Sequence, residues 1–270
     1  MKNKIIAGLV FIVSIFLVIV CGYAFFLDRK TSEIFSKKTA KERFTKIYEL
    51  DYWVQDATGS FTWKAFFNKK TGPSGVGGLK ENSLPYLEFL QNFIDTHQVR
   101  SIIDLGCGDF LLMKHLKIPS NMRYRGIDLV DALIADNEKK YSKENIKFES
   151  IDSLEDFEKQ SEKYAADLLI IKDTMQLWAL PQIQNFIKNT LPKYKYVIIV
   201  NNFFPLIGQQ PQNADSTVAE SRPINLETAP FFMKINVALD YVGGCRHKRV
   251  YLYKSPLFQD EKIEDKKNTM

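Results

Sequence analysis

Hydrophobic and polar positions divide the 270 residues into three unequal stretches. Ile5 to Leu27 holds 23 residues without a charge. From about Phe44 to Ser255, apolar runs of strand length alternate with stretches whose apolar residues recur at helical spacing. Pro256 to Met270 is polar and charged, which predicts a disordered tail. Residues 28–43, between the first two stretches, are basic and read as a linker.

Within the long middle stretch the elements follow in order. Lys41 to Leu50 has the spacing of a helix laid on a globular body, through Phe44, Ile47 and Tyr48. Trp53 to Lys70 is irregular and rich in aromatics, either a loop packed on the surface or a lid over a pocket. Gly72 to Gly78 contains four glycines and a proline and is predicted to be a loop. Ser83-Leu84-Pro85 is a helix start, a capping hydroxyl followed by an early proline, and the helix runs to about His97. Ser101 to Leu105 is a strand ending in a glycine turn, with helical spacing after it through Phe110, Leu111, Met113 and Leu116. Strands follow at Arg123 to Ile127, Ile146 to Glu149, Asp167 to Ile171 and Tyr194 to Val200, with helices at Asp131 to Tyr141 and Pro181 to Thr190. Lys234 to Tyr241 and Lys248 to Tyr253, joined through Gly243-Gly244, read as a closing antiparallel pair. The alternation predicts an α/β fold, a doubly wound and mostly parallel seven-stranded sheet covered by helices, with ligands at the C-terminal strand ends.

Length decides how the first stretch is read. As a helix, 23 residues reach about 34 Å at ~1.5 Å each, enough for a bilayer core of ~30 Å. A signal peptide is the alternative, but Gly22-Tyr23-Ala24 is a poor cleavage site and the run exceeds the usual apolar region. Residues 5–27 are therefore expected to be a transmembrane helix. Lys2 and Lys4 precede it, whereas Arg29, Lys30, Lys37, Lys38, Lys41 and Arg43 follow, which places the C-terminal part in the cytoplasm.

Charge and cysteine usage add little more. Of the net charge of +5, residues 1–30 supply +3, so the rest has no broad basic face and nucleic acid is not indicated. The basic cluster at Arg29 to Arg43 is either a contact for anionic lipid headgroups or a solvated helix face. Cys21, Cys107 and Cys245 and the three histidines lack metal-ligand spacing.

Candidate chemistry centres on Asp104-Leu105-Gly106-Cys107-Gly108-Asp109. The glycines let the backbone turn sharply and approach a ligand closely. Asp128 ends the next strand, 20 positions after Gly108, where a doubly wound sheet places the carboxylate that grips a ribose. Together they suggest a nucleoside-type cofactor. A dinucleotide fingerprint would have its third glycine where Leu111 stands. The Ser74-Gly75-Val76-Gly77 backbone could wrap an anionic group.

Asp-Leu-Gly-Cys-Gly resembles the first motif of class I S-adenosylmethionine-dependent methyltransferases. More narrowly, the chain resembles a bacterial branch of that family. The shared features are Phe44 to Tyr48, Ser74 to Gly77, Tyr86 to Ile94, Gly-Cys-Gly-Asp, Lys172 to Gln176 and Arg222 to Leu226. They span nearly all of a 44–255 methyltransferase domain. The resemblance implies that Asp104, Gly106, Cys107 and Gly108 hold the methionine part of S-adenosylmethionine. It also implies that Asp128 and Leu129 hold the ribose, and that Asp152 and Ser153 meet the adenine region. Ser74, Gly75, Gly77 and Lys172 complete the expected cofactor set. The branch has Trp where this chain has Phe110, and Gln-His-Trp where it has Gln176-Leu177-Trp178.

Three functions remain open from sequence: a membrane-anchored methyltransferase with an unidentified, possibly membrane-associated acceptor, an S-adenosylmethionine-binding module without turnover, and a nicotinamide-dependent oxidoreductase. For the first, Asp173 is the candidate base, with Asn201 and Asn202 as polar positioners after the next strand. Arg222 either grips an anionic substrate or fixes the loop around Pro223.

Overall fold

The computed structural model describes residues 28–53, 73–205, 210–244 and 246–258, together with Gly22 and Phe26. The predicted span 5–27 therefore lies outside the described residues but for Gly22 and Phe26. So do the aromatic segment after Trp53, Cys21, Cys245 and the tail after Phe258. Among the described residues, no helix is long and apolar enough to cross a membrane.

Five parallel strands form the centre: β1 (Ser101–Leu105), β2 (Arg123–Asp128), β3 (Ile146–Ser150), β4 (Leu168–Lys172) and β5 (Tyr196–Asn202). A closing hairpin of β6 (Asn236–Gly243) and β7 (Arg246–Lys254) joins antiparallel through β7, giving the order β3-β2-β1-β4-β5-β7-β6. The sheet is thus mixed, as the closing pair predicted. β5 is buried at every position, as expected of a strand covered on both faces. From β1 the chain winds outward through β2 and β3, then returns to lay β4 on the other side. The order reverses between β1 and β4, and a crevice opens there at the C-terminal strand ends.

Apart from the helical residues 28–35, the helices bounded within the described residues include α1 (Ala40–Glu49), α2 (Lys80–Thr96), α3 (Asp131–Tyr141), α4 (Leu154–Lys159) and α5 (Leu180–Asn189). α2 packs Tyr86, Leu90 and Phe93 on one core with Ile102, Ile170 and Ile198. Phe157 of α4 and Ile183 and Phe186 of α5 cover the other face through Ile103, Ile171 and Ile199. The sequence did not announce α4, because six residues are too few to show a helical period. Ser153 caps it, its hydroxyl accepting from Asp156 N at 3.1 Å.

Three local expectations are corrected. No α-helix follows β1; the chain turns through Gly106 to Leu112 into a 3-10 turn, Met113–His115. Phe110 is left-handed, with φ of 58°, and Leu111 N donates to Asp109 Oδ1 at 3.2 Å, so a local side chain competes with the helix. Phe110 keeps this conformation because its ring is buried against Tyr124, Phe148 and Tyr141. The glycine segment is not wholly irregular, since Val76–Gly78 forms a 3-10 turn. α2 begins three residues early, at Lys80, but is kinked at Ser83 (φ −130°, ψ 17°). The Ser83 hydroxyl does not cap it and donates instead to Gly77 O at 2.9 Å.

The segment read as a linker is packed. Residues 28–35 are helical, and Ile34 is fully buried with Phe44, Ile47, Val130, Leu133 and Leu177. Several of its basic side chains are occupied within the protein. Lys30 Nζ donates to Leu50 O at 2.6 Å, and Arg43 Nη1 to Val218 O at 3.1 Å. Lys41 Nζ bridges Asp131 and Asp152, each at 2.8 Å. The capping box of Thr39 and Glu42 then starts α1.

Candidate functional site

A cavity of about 140 Å³ occupies the crevice at the switch point. Its floor is the turn from Asp104 to Asp109, its sides are the ends of β2 and β4, and Ser74, Gly77 and Gly78 cover it. Phe44 and Tyr48 of α1 and Trp53 form a further wall. The Trp53 ring meets Tyr48 edge-on at 5.1 Å.

Two glycines of the turn are required by space and by conformation. Gly106 and Gly108 have φ of 81° and 56°. A Cβ at Gly106 would stand 2.2 Å from Thr174 Oγ1, and one at Gly108 2.6 Å from Ser74 Oγ. The turn is also fastened from outside. Asn137 of α3, buried, donates to Gly108 O at 2.7 Å. Ser74 and Asp109 bond reciprocally: Ser74 N donates to Asp109 Oδ2 at 3.2 Å, and Asp109 N to Ser74 Oγ at 3.0 Å. Tyr48 Oη lies 3.2 Å from the same Ser74 hydroxyl. The glycine cover is thereby tied both to the turn and to α1.

The carboxylates differ in what holds them. Asp128 accepts from Gly108 N at 3.1 Å on one oxygen and from Val130 N at 3.2 Å on the other, with the Leu129 N–H acting on it as well, and its remaining acceptor capacity is open to a ligand. Burial raises its affinity for protons, and the backbone N–H groups oppose that. Asp104 accepts from Tyr124 Oη at 2.5 Å. Burial pushes its pKa up to about 6, against the Tyr124 bond and the Lys172 charge. Burial likewise pushes the Cys107 thiol up, which makes it a packing group of the wall and a poor nucleophile.

Asp173 stands apart from these. Its φ is 57°, and two ammonium groups grip it: Lys172 Nζ on Oδ2 at 2.6 Å and Lys248 Nζ on Oδ1 at 2.5 Å. Lys248, buried on β7, also donates to Asn202 Oδ1 at 3.1 Å, and Lys172 to Gly77 O at 2.9 Å. Burial alone would raise the proton affinity of Asp173, but the two lysines outweigh it and hold the carboxyl well below the usual range. A carboxylate held this way is a weak proton acceptor, which argues against the role of base that its position suggested.

Of the residues singled out from sequence, Ser74, Gly77, Asp104, Gly106, Cys107, Gly108, Asp128, Leu129, Lys172 and Asp173 line the cavity. Gly75, Asp152, Ser153 and Asn201 do not. Asp152 has 82% of its side chain exposed and serves the Lys41 bridge, while Ser153 caps α4. The residues that line the cavity beside them are Ile151 and Leu154, both apolar. Asn201 is fully buried, and its side-chain atoms find no partner among the described residues. Arg222 is also fully buried and serves the loop, donating to Ala214 O and Gln176 O at 3.1 and 3.0 Å. Sequence reasoning missed Asn137, Lys248 and the Phe44 and Tyr48 part of the wall, whereas Trp53 opens the segment for which a lid over a pocket was one of two readings. Only the wall had a signal, its concentration of aromatics.

The fold has relatives among solved structures. Magnesium protoporphyrin IX methyltransferase from Synechocystis PCC 6803, crystallised with bound SAH, superposes with a TM-score of 0.50 over 80% of this chain and 97% of that one, at 10% identity. This chain has a methyltransferase fold. An O-methyltransferase family protein from Burkholderia thailandensis gives a TM-score of 0.46 at 12% identity, over 78% of this chain and 71% of its own. Human N-acetylserotonin methyltransferase gives 0.44 at 14% identity, over 80% and 70%. No family model matches the sequence, and no curated protein does.

Proposed function

We propose that this chain is an S-adenosylmethionine-dependent methyltransferase. The observation that carries the reading is the convergence of Asp128, Gly106 and Gly108 at one switch-point cavity in a sheet of this order. The residues present fit the cofactor. The free lone pairs of Asp128 suit the two hydroxyls of a ribose. Leu129, Ile151 and Leu154 offer an apolar slot for a base, and Asp104 and Lys172 offer one charge of each sign for an amino acid end. S-Adenosylmethionine supplies an already activated methyl group, so the protein chiefly contributes proximity and alignment, worth ~7–11 kcal/mol of barrier. Asp173, fixed by Lys172 and Lys248, then acts as a rigid anion at the acceptor side. The same grip favours, as a second reading, a module that binds the cofactor without turnover.

Calorimetry on the full-length protein tests the cofactor. S-Adenosylhomocysteine is expected to bind and NAD not to. Asp128→Ala should weaken binding by roughly 2 kcal/mol, about thirtyfold, because a charged hydrogen-bonding group is lost, and should also lower the melting transition, because Gly108 N and Val130 N lose their acceptor. Selective NAD binding, or wild-type affinity in the variant, refutes the assignment.

We further propose that residues 5–27 anchor the enzyme in a membrane with its folded part in the cytoplasm, where a membrane-associated acceptor meets it at high effective concentration. The uncharged length of that segment and the basic residues after it support this. A reporter fused to the C-terminus should be active only in its cytoplasmic form; activity of an exported reporter reverses the orientation.

A further inference from the structure

On β1 and β2 the sheet face that carries Ile103 and Ile127 changes character along its length. Toward the strand starts it presents Arg123 and Arg125, two positions apart on β2 and therefore on one face. The β2–β3 register sets Lys147 directly opposite Arg125. Like charges so placed destabilise a sheet unless something neutralises them. The cover is short here as well. α4, with six residues, reaches about 9 Å at ~1.5 Å per residue, while a strand of five residues spans about 16 Å at ~3.3 Å each.

What remains is a groove of about 210 Å³, lined among others by Arg123, Arg125, Lys147, Lys163, Asn145 and Glu144. Glu149 serves two of the four cations, pairing with Lys163 and, at 3.8 Å, with Arg125. Arg123 and Lys147 are exposed, and their side chains make no hydrogen bond or ion pair among the described residues. One carboxylate, Glu144, shares the lining. The groove thus gathers more positive charge than its own acids neutralise. It lies at the strand starts, away from the strand ends where the first cavity opens.

We propose that this groove binds a phosphoryl group, held by the Arg123 guanidinium fork and the Lys147 ammonium, at a site separate from the switch-point cavity. A guanidinium presents paired donors that match a tetrahedral oxyanion, and an ammonium adds a compact point charge. The phosphoryl group can come from a soluble phosphate compound or from a lipid headgroup. Nothing in the inference depends on what the first cavity binds.

The test uses the full-length protein in nanodiscs of neutral lipid, titrated by calorimetry at low salt with pyrophosphate and separately with short-chain phosphatidic acid. Saturable binding of at least one probe is expected, weakened roughly tenfold by Arg123→Gln and again by Lys147→Gln, since each removes a charge-assisted contact. Both side chains are exposed, so melting should not fall, and Lys147→Gln, which relieves the repulsion with Arg125, should if anything raise it. Affinity for S-adenosylhomocysteine should be unchanged too, which separates this site from the first. Preference for pyrophosphate assigns a soluble source, and preference for phosphatidic acid a headgroup. Failure of both probes to saturate, or binding indifferent to both substitutions, overturns the proposal.

Discussion

Gly106→Val is expected to abolish S-adenosylhomocysteine binding and to lower stability by about 3 kcal/mol. Two costs combine. At φ of 81° a β-branched residue is strained, by about 1–3 kcal/mol. Its Cβ would also stand 2.2 Å from Thr174 Oγ1 and 2.5 Å from Thr174 Cγ2, so β1 and β4 cannot keep their spacing at the turn. Overpacking of that kind costs about 1–3 kcal/mol. The turn would open by moving Thr174, which lines the same cavity. Gly78→Ala is the control, because it lines the cavity too but its Cβ would meet Ser74 Cβ at an ordinary 3.6 Å. Thermal unfolding and calorimetry on the two variants decide it. A Gly106→Val protein that binds like wild type would show that the turn does not hold the ligand.

Lys248→Met is expected to cost about 3–5 kcal/mol, the usual penalty for removing one partner of a buried ion pair. Asp173 would keep Lys172 on one oxygen, but its other oxygen would face a thioether. Asn202 Oδ1 would lose a donor at the same time. Adding Asp173→Asn should not restore the loss, since it removes the carboxylate that Lys172 still holds and leaves that largely buried ammonium without its ionic partner. Denaturant unfolding of the single and double variants measures this as a thermodynamic cycle. A single variant as stable as wild type would mean that the pair contributes nothing to the fold.

These two sites were not equally visible in the sequence. Gly106, Gly108 and Asp128 could be read because the physics that joins them is local: a strand, a turn and the end of the next strand. The strands themselves were legible for the same reason, since a parallel sheet covered on both faces leaves continuous apolar runs such as Tyr196 to Val200. Lys248 was not legible. It reaches Asp173 across 75 residues, and in sequence it is one of several basic residues on a strand read as half of the closing antiparallel pair. Asn201 shows a different limit. Successive side chains of a strand point to opposite faces, so a choice between Asn201 and Asn202 decides between two sides of the sheet. Asn202 meets Lys248, while Asn201 lies buried with no partner among the described residues. The helix expected after β1 failed because Phe110, apolar and well spaced, is held in a left-handed turn by three aromatic rings from distant elements.

The aromatic wall of the cavity has one more implication, for the order in which the protein can be completed. Ile34, Phe44, Tyr48 and Trp53 leave the ribosome before any strand of the sheet exists. Arg43 finds its carbonyl acceptor on Val218, 175 residues later. Closing so long a loop brings an entropic cost that shorter pairings within the sheet avoid, and contacts of such separation slow folding. This segment therefore cannot finish its share of the cavity until most of the chain has followed it.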